Sequence, residues 1–288
     1  MVIVYSCGLG NVLISLNSFF SVISNRRHGI SRLVIFTKTN SRIIKRLIES
    51  HKELDLPVYV LPVGEVIANL TVSFLAYLNR MAIVKCLRFD DQKIDAESVM
   101  STLYVNPFLQ GQIRPFPAGF GFKNQVYEPT VKNDLLVMAG SMKACFLHHR
   151  AGDYASFPNA QNPAVLPLSY YKKASEYMGN CGFNYFYISS QSADFVAELM
   201  DVLPINAKVH DISALSELDT LSIFEKCAGG ILSASTFSLL VTLMKRSEPS
   251  LYIAPKHWAG IRLGFWYPVD LSYIENILFI DAFCDEGT

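Results

Sequence analysis

Ionisable side chains directly follow a short apolar run near the middle of the chain. Residues 144–146 (ACF) lead into His148, Arg150 and Asp153, and Gly152 allows a sharp turn there. In open α/β sheets, ligands bind beyond the carboxyl ends of strands, and arginine offers a planar fork of N–H donors suited to phosphate oxygens. The pattern predicts an anion site around Arg150; a surface ion pair between Arg150 and Asp153 is the alternative that needs no ligand.

A second stretch, SASTFS at residues 233–238, carries four hydroxyl side chains between an expected strand and an expected helix. The hydroxyls of Ser233, Ser235 and Thr236, together with the free amides of a helix N-terminus, can cradle an anion without a charged residue. Ordinary helix capping by Ser235 or Thr236 explains the same residues, and taken alone it is the better explanation.

A third stretch follows the first β-branched run, where Gly8, Gly10 and Asn11 stand in CGLGNV. The glycines allow a tight turn and a close approach of the backbone to a ligand. An ordinary strand-to-helix turn with Asn11 as N-cap is the alternative and is favoured for this stretch alone. In YIAPKHWAG (252–260), Lys256 adds positive potential, but a polar loop covered by Trp258 is favoured.

These stretches sit within an alternation of strand-like and helix-like segments, which predicts α/β architecture with parallel sheets. A chain of 288 residues suits two Rossmann-like halves, and residues 89–132, rich in Pro, Gly and aromatics, are expected to be loop. The expected strands are 2–6, 32–37, 57–62, 134–139, 145–148, 186–189, 207–212, 230–235 and, as the last one, 251–255. The expected helices are 12–24, 41–51, 169–178, 193–202, 218–227 and 236–244.

Composition excludes several classes of protein. Lys+Arg and Asp+Glu both number 25, so the basic excess typical of a nucleic-acid binder is missing. The six cysteines are widely spaced without a C-x-x-C pair, which argues against a disulfide framework and a zinc site. We expect no transmembrane span, since Asn69, Asn79 and Arg80 interrupt the most apolar stretch (66–84), and we expect a cytoplasmic protein, with peripheral contact at the inner membrane open.

Five segments, in order, resemble glycosyltransferase family 11, the α-1,2-fucosyltransferases. They span residues 8–258 and are GLGN (8–11), HHRAGDY (148–154), LPLSYYKKASEYM (166–178), CAGGILSASTFSLLVTLM (227–244) and LYIAPKHW (251–258). The resemblance implies a GT-B fold, in which two Rossmann-like domains face a cleft. Residues 1–138 would form the acceptor-side domain and residues 139–288 the nucleotide-sugar domain, with the last helix able to pack back on the first domain.

The resemblance also implies roles for single residues. Arg150 would hold the donor β-phosphate, His148 would lie near the guanosine, and Asp153 is the candidate base for the acceptor hydroxyl. The remaining expected substrate-binding residues are Gly8, Gly10, Asn11, Ser189, Gln191, Ser233, Ser235, Thr236 and Phe237.

The expected activity is an inverting transfer of fucose from GDP-fucose to a glycan hydroxyl, with O2 of a β-galactoside as the expected acceptor, and it requires no metal or cofactor. The sequence departs from the family pattern at Ala151, Cys7 and Val12, and SSQS (189–192) replaces an acidic S-D-D segment near the nucleotide. Two alternatives therefore stay open: a transferase of the same fold that uses another sugar nucleotide, and a non-catalytic nucleotide- or glycan-binding relative.

Overall fold

The computed structural model describes residues 2–6, 33–37, 57–63, 65–81, 85–87, 103–105, 129–140, 143–159, 162–244, 250–256 and 276–282. The chain divides into two compact units. The first comprises Met1–Glu128 with Val269–Leu271, and the second comprises Pro129–Pro268 with Ser272–Thr288. The division falls after residue 128, whereas the boundary predicted from the sequence follows residue 138.

The first unit contains a parallel five-stranded sheet in the order β3-β2-β1-β5-β4. The long strands VIVYS, LVIFT and VYVLP are rich in β-branched and aromatic residues, which fit a pleated surface. The strands are β1 Val2–Ser6, β2 Leu33–Thr37, β3 Val58–Pro62, β4 Lys85–Leu87 and β5 Leu103–Val105, and helix α1 is Glu65–Arg80.

The second unit contains a parallel six-stranded sheet in the order β10-β9-β6-β11-β12-β13. When the six strands of this sheet are numbered in chain order, the sheet order is 3-2-1-4-5-6, the order of a Rossmann fold, in which the direction of winding reverses between the first and fourth strands. Here that reversal lies between β6 and β11. The strands are β6 Ala144–His149, β9 Tyr185–Ser190, β10 Lys208–Asp211, β11 Gly229–Ile231, β12 Leu251–Pro255 and β13 Ile277–Ile280.

Helices and a short hairpin complete the second unit. The hairpin pairs β7 Pro158–Asn159 with β8 Asn162–Pro163, after a 3-10 turn at Gly152–Ala155. The helices are α2 Asn133–Ala139, α3 Leu168–Asn180, α4 Ala193–Val202, α5 Glu217–Lys226 and α6 Thr236–Met244. The α/β class with parallel sheets is thereby confirmed.

One large hydrophobic cluster of the second unit lies between the sheet and helices α3 and α4, and Phe146 of β6 stacks on Phe224 of α5 at 4.2 Å between ring centroids. Strand β6 is buried along its whole length, and Tyr170 and Tyr171 on α3 are fully buried. The Tyr170 hydroxyl donates to the Leu232 carbonyl at 2.8 Å, and the Tyr171 hydroxyl donates to the His148 carbonyl at 3.1 Å. Buried hydroxyls normally require such partners, and these two hold α3 against the ends of β6 and β11.

Several secondary-structure predictions are wrong. Residues 134–139 form helix α2 rather than a strand, because Leu135, Leu136 and Ala139 turn inward at helical spacing while Val137 is exposed. Strand β5 lies inside the region predicted to be loop, and β13 follows the strand predicted to be last. Strand β11 ends at Ile231, so residues 232–235 form the turn before α6. The helices expected at 12–24 and 41–51 lie outside the described residues.

Within the described part of the chain, no helix combines the length and apolarity needed to cross a bilayer.

Candidate functional site

The predicted site residues of the second unit converge on one edge of its sheet. Strands β9, β6 and β11 are adjacent and parallel, with His148 paired to Ser189 and Ile231 paired to Leu147. The carboxyl ends of β6 and β11 therefore meet at the point where the winding reverses. In folds of this kind, that crevice is where ligands bind.

His148 and Ser233 form a buried bridge across this crevice. The Nδ1 atom of His148 lies 2.8 Å from the Ser233 Oγ, and both side chains are buried. The ring of Phe237 lies 5.2 Å from the His148 ring, centroid to centroid. Burial, then the charge of Arg150, then His149, lower the pKa of His148 from 6.5 to about 3. His148 is neutral at physiological pH, so it supplies a fixed hydrogen bond and no countercharge for a phosphate.

Arg150 follows β6 and forms an ion pair with Asp153. Its Nε and Nη2 donate to the same Asp153 Oδ1 at 3.0 and 2.7 Å, and the two side chains are 31% and 63% exposed. The surface ion pair that the sequence offered as an alternative is thus present. An exposed pair of this kind contributes about 0–1 kcal/mol to stability, so an incoming anion can displace Asp153 at little cost.

Tyr154, a residue to which no role was assigned from the sequence, connects the Arg150 turn to the hydroxyl-rich loop. Its hydroxyl donates to the Ala234 carbonyl at 2.7 Å, and the Arg150 guanidinium lies 5.7 Å from the centre of its ring. Burial raises the pKa of Tyr154 to about 12, an effect that Arg150 opposes and Asp153 reinforces. The hydroxyl therefore stays protonated and holds residues 150–154 beside residues 233–236. Its place in HHRAGDY was the only signal for it in the sequence.

The loop before α6 uses most of its hydroxyls internally. Ser235 Oγ accepts the Phe237 N–H at 3.3 Å, and Ser238 Oγ donates towards the Ser233 and Ser235 carbonyls at 3.4 and 3.3 Å. Capping by Ser235, the alternative raised from the sequence, is therefore observed. Ser233 and Ser235 are buried, whereas Thr236 and Phe237 are half-buried. Thr236 and Phe237 are therefore the partly exposed residues of this stretch, and the amides of the first turn of α6 lack intrahelical acceptors, although the Phe237 N–H is already bound by Ser235.

The end of β9 contributes the third side of the site. Gly152 has φ +37°, and a Cβ at this position would lie 2.6 Å from Oε1 of Gln191, so the Gln191 amide lies directly against the turn. Gln191 is exposed and Ser189 is half-buried. The exposed amide of Gln191 therefore offers a hydrogen-bond donor and an acceptor beside the turn that carries Arg150.

His149, which follows His148, belongs to the support of this site. Its ring stacks on Phe195 at 3.6 Å between centroids, and its Nδ1 lies 2.8 Å from the Ser190 Oγ. Its Nε2 is buried without a hydrogen-bond partner among the described residues. Burial lowers the pKa of His149 to about 4, so this imidazole is also neutral.

Other residues that the sequence pointed to are not among those that meet at the ends of β6, β9 and β11. Gly8, Gly10 and Asn11 lie outside the described residues, as do His257 and Trp258. Lys256 is exposed immediately after β12, two strands from β6 in the sheet order. The described residues brought together are thus those at the ends of β6, β9 and β11, and the arrangement can bind an anion between Arg150 and the N-terminus of α6.

No protein-family model matches the chain, and no curated protein matches its sequence. The resemblance to family 11 therefore rests on the five segments alone. Solved structures with a similar backbone include a glycosyl transferase family 9 protein from Veillonella parvula, with 10% identity over 97% of this chain and 86% of that chain, and a TM-score of 0.48. The E. coli heptosyltransferase WaaC with ADP shows 8% identity over 89% and 87%, with a TM-score of 0.43. POFUT1 in complex with GDP-fucose shows 9% identity over 88% and 97%, with a TM-score of 0.44. With TM-scores below 0.5, these similarities are weak, and no conclusion about this chain rests on them.

Proposed function

We propose that the protein is an inverting, metal-independent glycosyltransferase of the GT-B type that moves fucose from GDP-fucose to a glycan hydroxyl, O2 of a β-galactoside. One observation carries the proposal. At the winding reversal of a Rossmann sheet, Tyr154 connects the turn that carries Arg150 to the loop before α6: its ring lies 5.7 Å from the Arg150 guanidinium, and its hydroxyl donates to the Ala234 carbonyl. The five segments that resemble family 11 supply the choice of donor.

The diphosphate of the donor would occupy the space between Arg150 and α6. The guanidinium would exchange Asp153 for phosphate oxygens, a fork geometry that suits two oxygens at once. The amides of the first helical turn and the Thr236 hydroxyl would face the other oxygens. Neutral His148 and Ser233 lie behind this site and fix the spacing of the two strand ends.

The chemistry requires charge to be stabilised on the leaving group. As the bond between fucose C1 and the β-phosphate oxygen breaks, that electron pair stays on GDP, and the acceptor oxygen attacks C1 from the opposite face while losing its proton. Preorganised donors aimed at the developing negative charge lower the barrier without a metal. A hydrogen bond to a charged group contributes about 1.5–3 kcal/mol, so loss of Arg150 should slow turnover roughly 10–100-fold.

Asp153 is the candidate acceptor of the proton. In the structure its carboxylate is bound to Arg150 and is largely exposed. Binding of a diphosphate to Arg150 would release the carboxylate, so donor binding itself would free the base.

The test combines GDP titration calorimetry with a fucosyl-transfer assay on galactoside acceptors. Arg150→Ala is expected to weaken GDP binding and to slow transfer. Lys208→Ala is the matched control, because it removes one positive charge from the same unit at the first residue of β10, the opposite end of the sheet. This control should behave like the wild type.

Folded protein that binds no GDP, or an Arg150→Ala variant with undiminished transfer, would overturn the proposal. Binding of GDP with no product on any acceptor after long incubation would identify a non-catalytic nucleotide-binding protein instead.

The position of Gln191 favours a second candidate, a transferase of the same type that uses another sugar nucleotide. The family-like S-D-D segment would put a carboxylate near the base, whereas this chain presents an amide that both donates and accepts. Titration of GDP, UDP and ADP, followed by transfer assays with the corresponding sugar nucleotides, separates the two. Preference for UDP or ADP would replace fucose transfer with this candidate.

A further inference from the structure

Helix α1 of the first unit carries an exposed row of large apolar side chains. Each is between 53% and 72% exposed, and the row comprises Val66, Ile67, Leu70, Phe74, Tyr77 and Met81. Leu75, on another face of the helix, is buried. A soluble helix normally turns its apolar side chains inward, whereas α1 buries Leu75 and at the same time exposes this row of apolar side chains to solvent.

The spacing of this row is that of a helix–helix seam. Ile67, Leu70, Phe74, Tyr77 and Met81 follow one another at alternating intervals of three and four, which is the a/d repeat of a heptad. Such a row runs straight along one side of a helix and fits a partner helix packed at a small crossing angle. The Tyr77 carbonyl accepts the Met81 N–H at 3.2 Å, so the helical geometry continues to the last residue of the row.

The size of the row matches a modest protein interface. Six such side chains present on the order of 100 Å² each, or about 600 Å² per copy, which is as large as the largest apolar patch on a typical monomer. Two copies in contact would bury about 1,200 Å², the lower limit for a specific interface.

The charges of α1 argue against a lipid surface as the partner. Helices that lie on membranes carry several Lys or Arg side chains on their polar face. The sequence of α1, EVIANLTVSFLAYLNR, contains one basic residue, Arg80, and one acidic residue, so it has no net attraction for anionic headgroups.

We propose that this row is a self-association surface, through which α1 of one copy packs against α1 of a second copy about a two-fold axis. In such an isologous contact each copy supplies the same row, and Phe74, at its middle, meets its own counterpart. Because the contact lies at the lower limit for a specific interface, we expect a reversible dimer, with a Kd on the order of micromolar.

Analytical ultracentrifugation across a concentration series tests this surface. The wild type should dimerise, and Leu70→Glu and Phe74→Glu should each raise the dimer Kd at least about tenfold, because each places a charge in an apolar seam. Ile205→Glu is the matched control: Ile205 is fully exposed in the second unit, and this variant should dimerise like the wild type. Circular dichroism and thermal unfolding establish that each variant is folded.

A wild type that stays monomeric up to about 100 µM would overturn the proposal, since a dimer with a Kd on the order of micromolar would have formed by then. Folded Leu70→Glu and Phe74→Glu variants that dimerise like the wild type would also overturn it. So would a monomeric wild type that sediments with phosphatidylglycerol vesicles and loses that binding in Leu70→Glu, because the partner would then be a lipid surface.

Discussion

Replacement of Asp153 by asparagine separates the two roles that this carboxylate can have. In the structure, Asp153 accepts two hydrogen bonds from Arg150 through one oxygen. If Arg150 binds the donor diphosphate, Asp153 competes with that ligand for the same guanidinium. Asp153→Asn keeps the size of the side chain and removes its charge, so we expect it to strengthen GDP binding.

The size of the effect follows from the exposure of the pair. With side chains 31% and 63% exposed, solvent screens the attraction, and the ion pair contributes about 0–1 kcal/mol. Loss of that competition can raise GDP affinity by at most about fivefold, since 1.4 kcal/mol corresponds to a factor of ten. The free energy of unfolding should fall by less than about 1 kcal/mol for the same reason.

Calorimetry at one fixed salt concentration measures this change, and a double-mutant cycle assigns it to Arg150. The gain in affinity should disappear in the Arg150→Ala background, because no guanidinium remains to be released. Asp201→Asn is the matched control, since Asp201 is an exposed carboxylate near the end of α4. A transfer assay on the same proteins tests the base: if Asp153 accepts the proton, kcat falls while GDP affinity rises.

Weaker GDP binding in Asp153→Asn would refute this reasoning, because it would mean that the carboxylate supports the ligand instead of competing with it. An equal gain in Asp201→Asn would also refute it, by showing that net charge alone was responsible.

Two further substitutions test the support of the site. Burial lowers the pKa of His149 from 6.5 to about 4 in the folded protein. As the pH falls below 6.5, the unfolded chain therefore binds a proton before the folded protein does, and the free energy of unfolding decreases until about pH 4. His149→Phe keeps the stacking on Phe195 and removes the titrating group. In urea unfolding, the difference in the free energy of unfolding between variant and wild type should therefore change by roughly 2 kcal/mol in favour of the variant between pH 7.5 and pH 5. A pH-independent difference would contradict this. Gly152→Ala forces a side chain into φ +37° at about 1–2 kcal/mol and displaces Gln191, so it should lower both Tm and GDP affinity. Gly182→Ala, at φ +93° with open space around it, should lower Tm alone, and equal GDP affinity in both variants would count against a role for Gln191.

Local patterns in the sequence predicted the elements that carry the site. The helices expected at 193–202 and 236–244 have those bounds in the structure, because each combines an apolar face with a polar start. The assembly of the ends of β6 and β11 followed from the general rule that parallel strands end at one edge of a sheet. Residues 134–139 were mispredicted because a short apolar run fits a buried strand and a helix equally well without knowledge of which side is buried.

Local sequence patterns could not predict the contacts between residues far apart in the chain. The hydrogen bond from Tyr154 to the Ala234 carbonyl joins residues 80 positions apart, and the bridge from His148 to Ser233 joins residues 85 apart. The ion pair between Arg150 and Asp153 also could not be established from the sequence alone. The sequence contained both partners, but only the structure shows two donors of Arg150 on one Asp153 oxygen.

The geometry divides the site into a buried neutral part and an exposed charged part. His148 and Ser233 are buried and uncharged, so the positive potential at the reversal point comes from Arg150 and the amides of α6. The neutral imidazole of His148 adds no charge beside Arg150, yet its contact with Ser233 at 2.8 Å connects the ends of β6 and β11. If the proposed function holds, Arg150 binds any diphosphate, whereas the exposed Gln191 amide, which can donate and accept, distinguishes the bases. Because Gln191 also lies against Gly152, in the turn that carries Arg150, a substitution of Gln191 that changes the nucleotide preference should alter diphosphate binding as well.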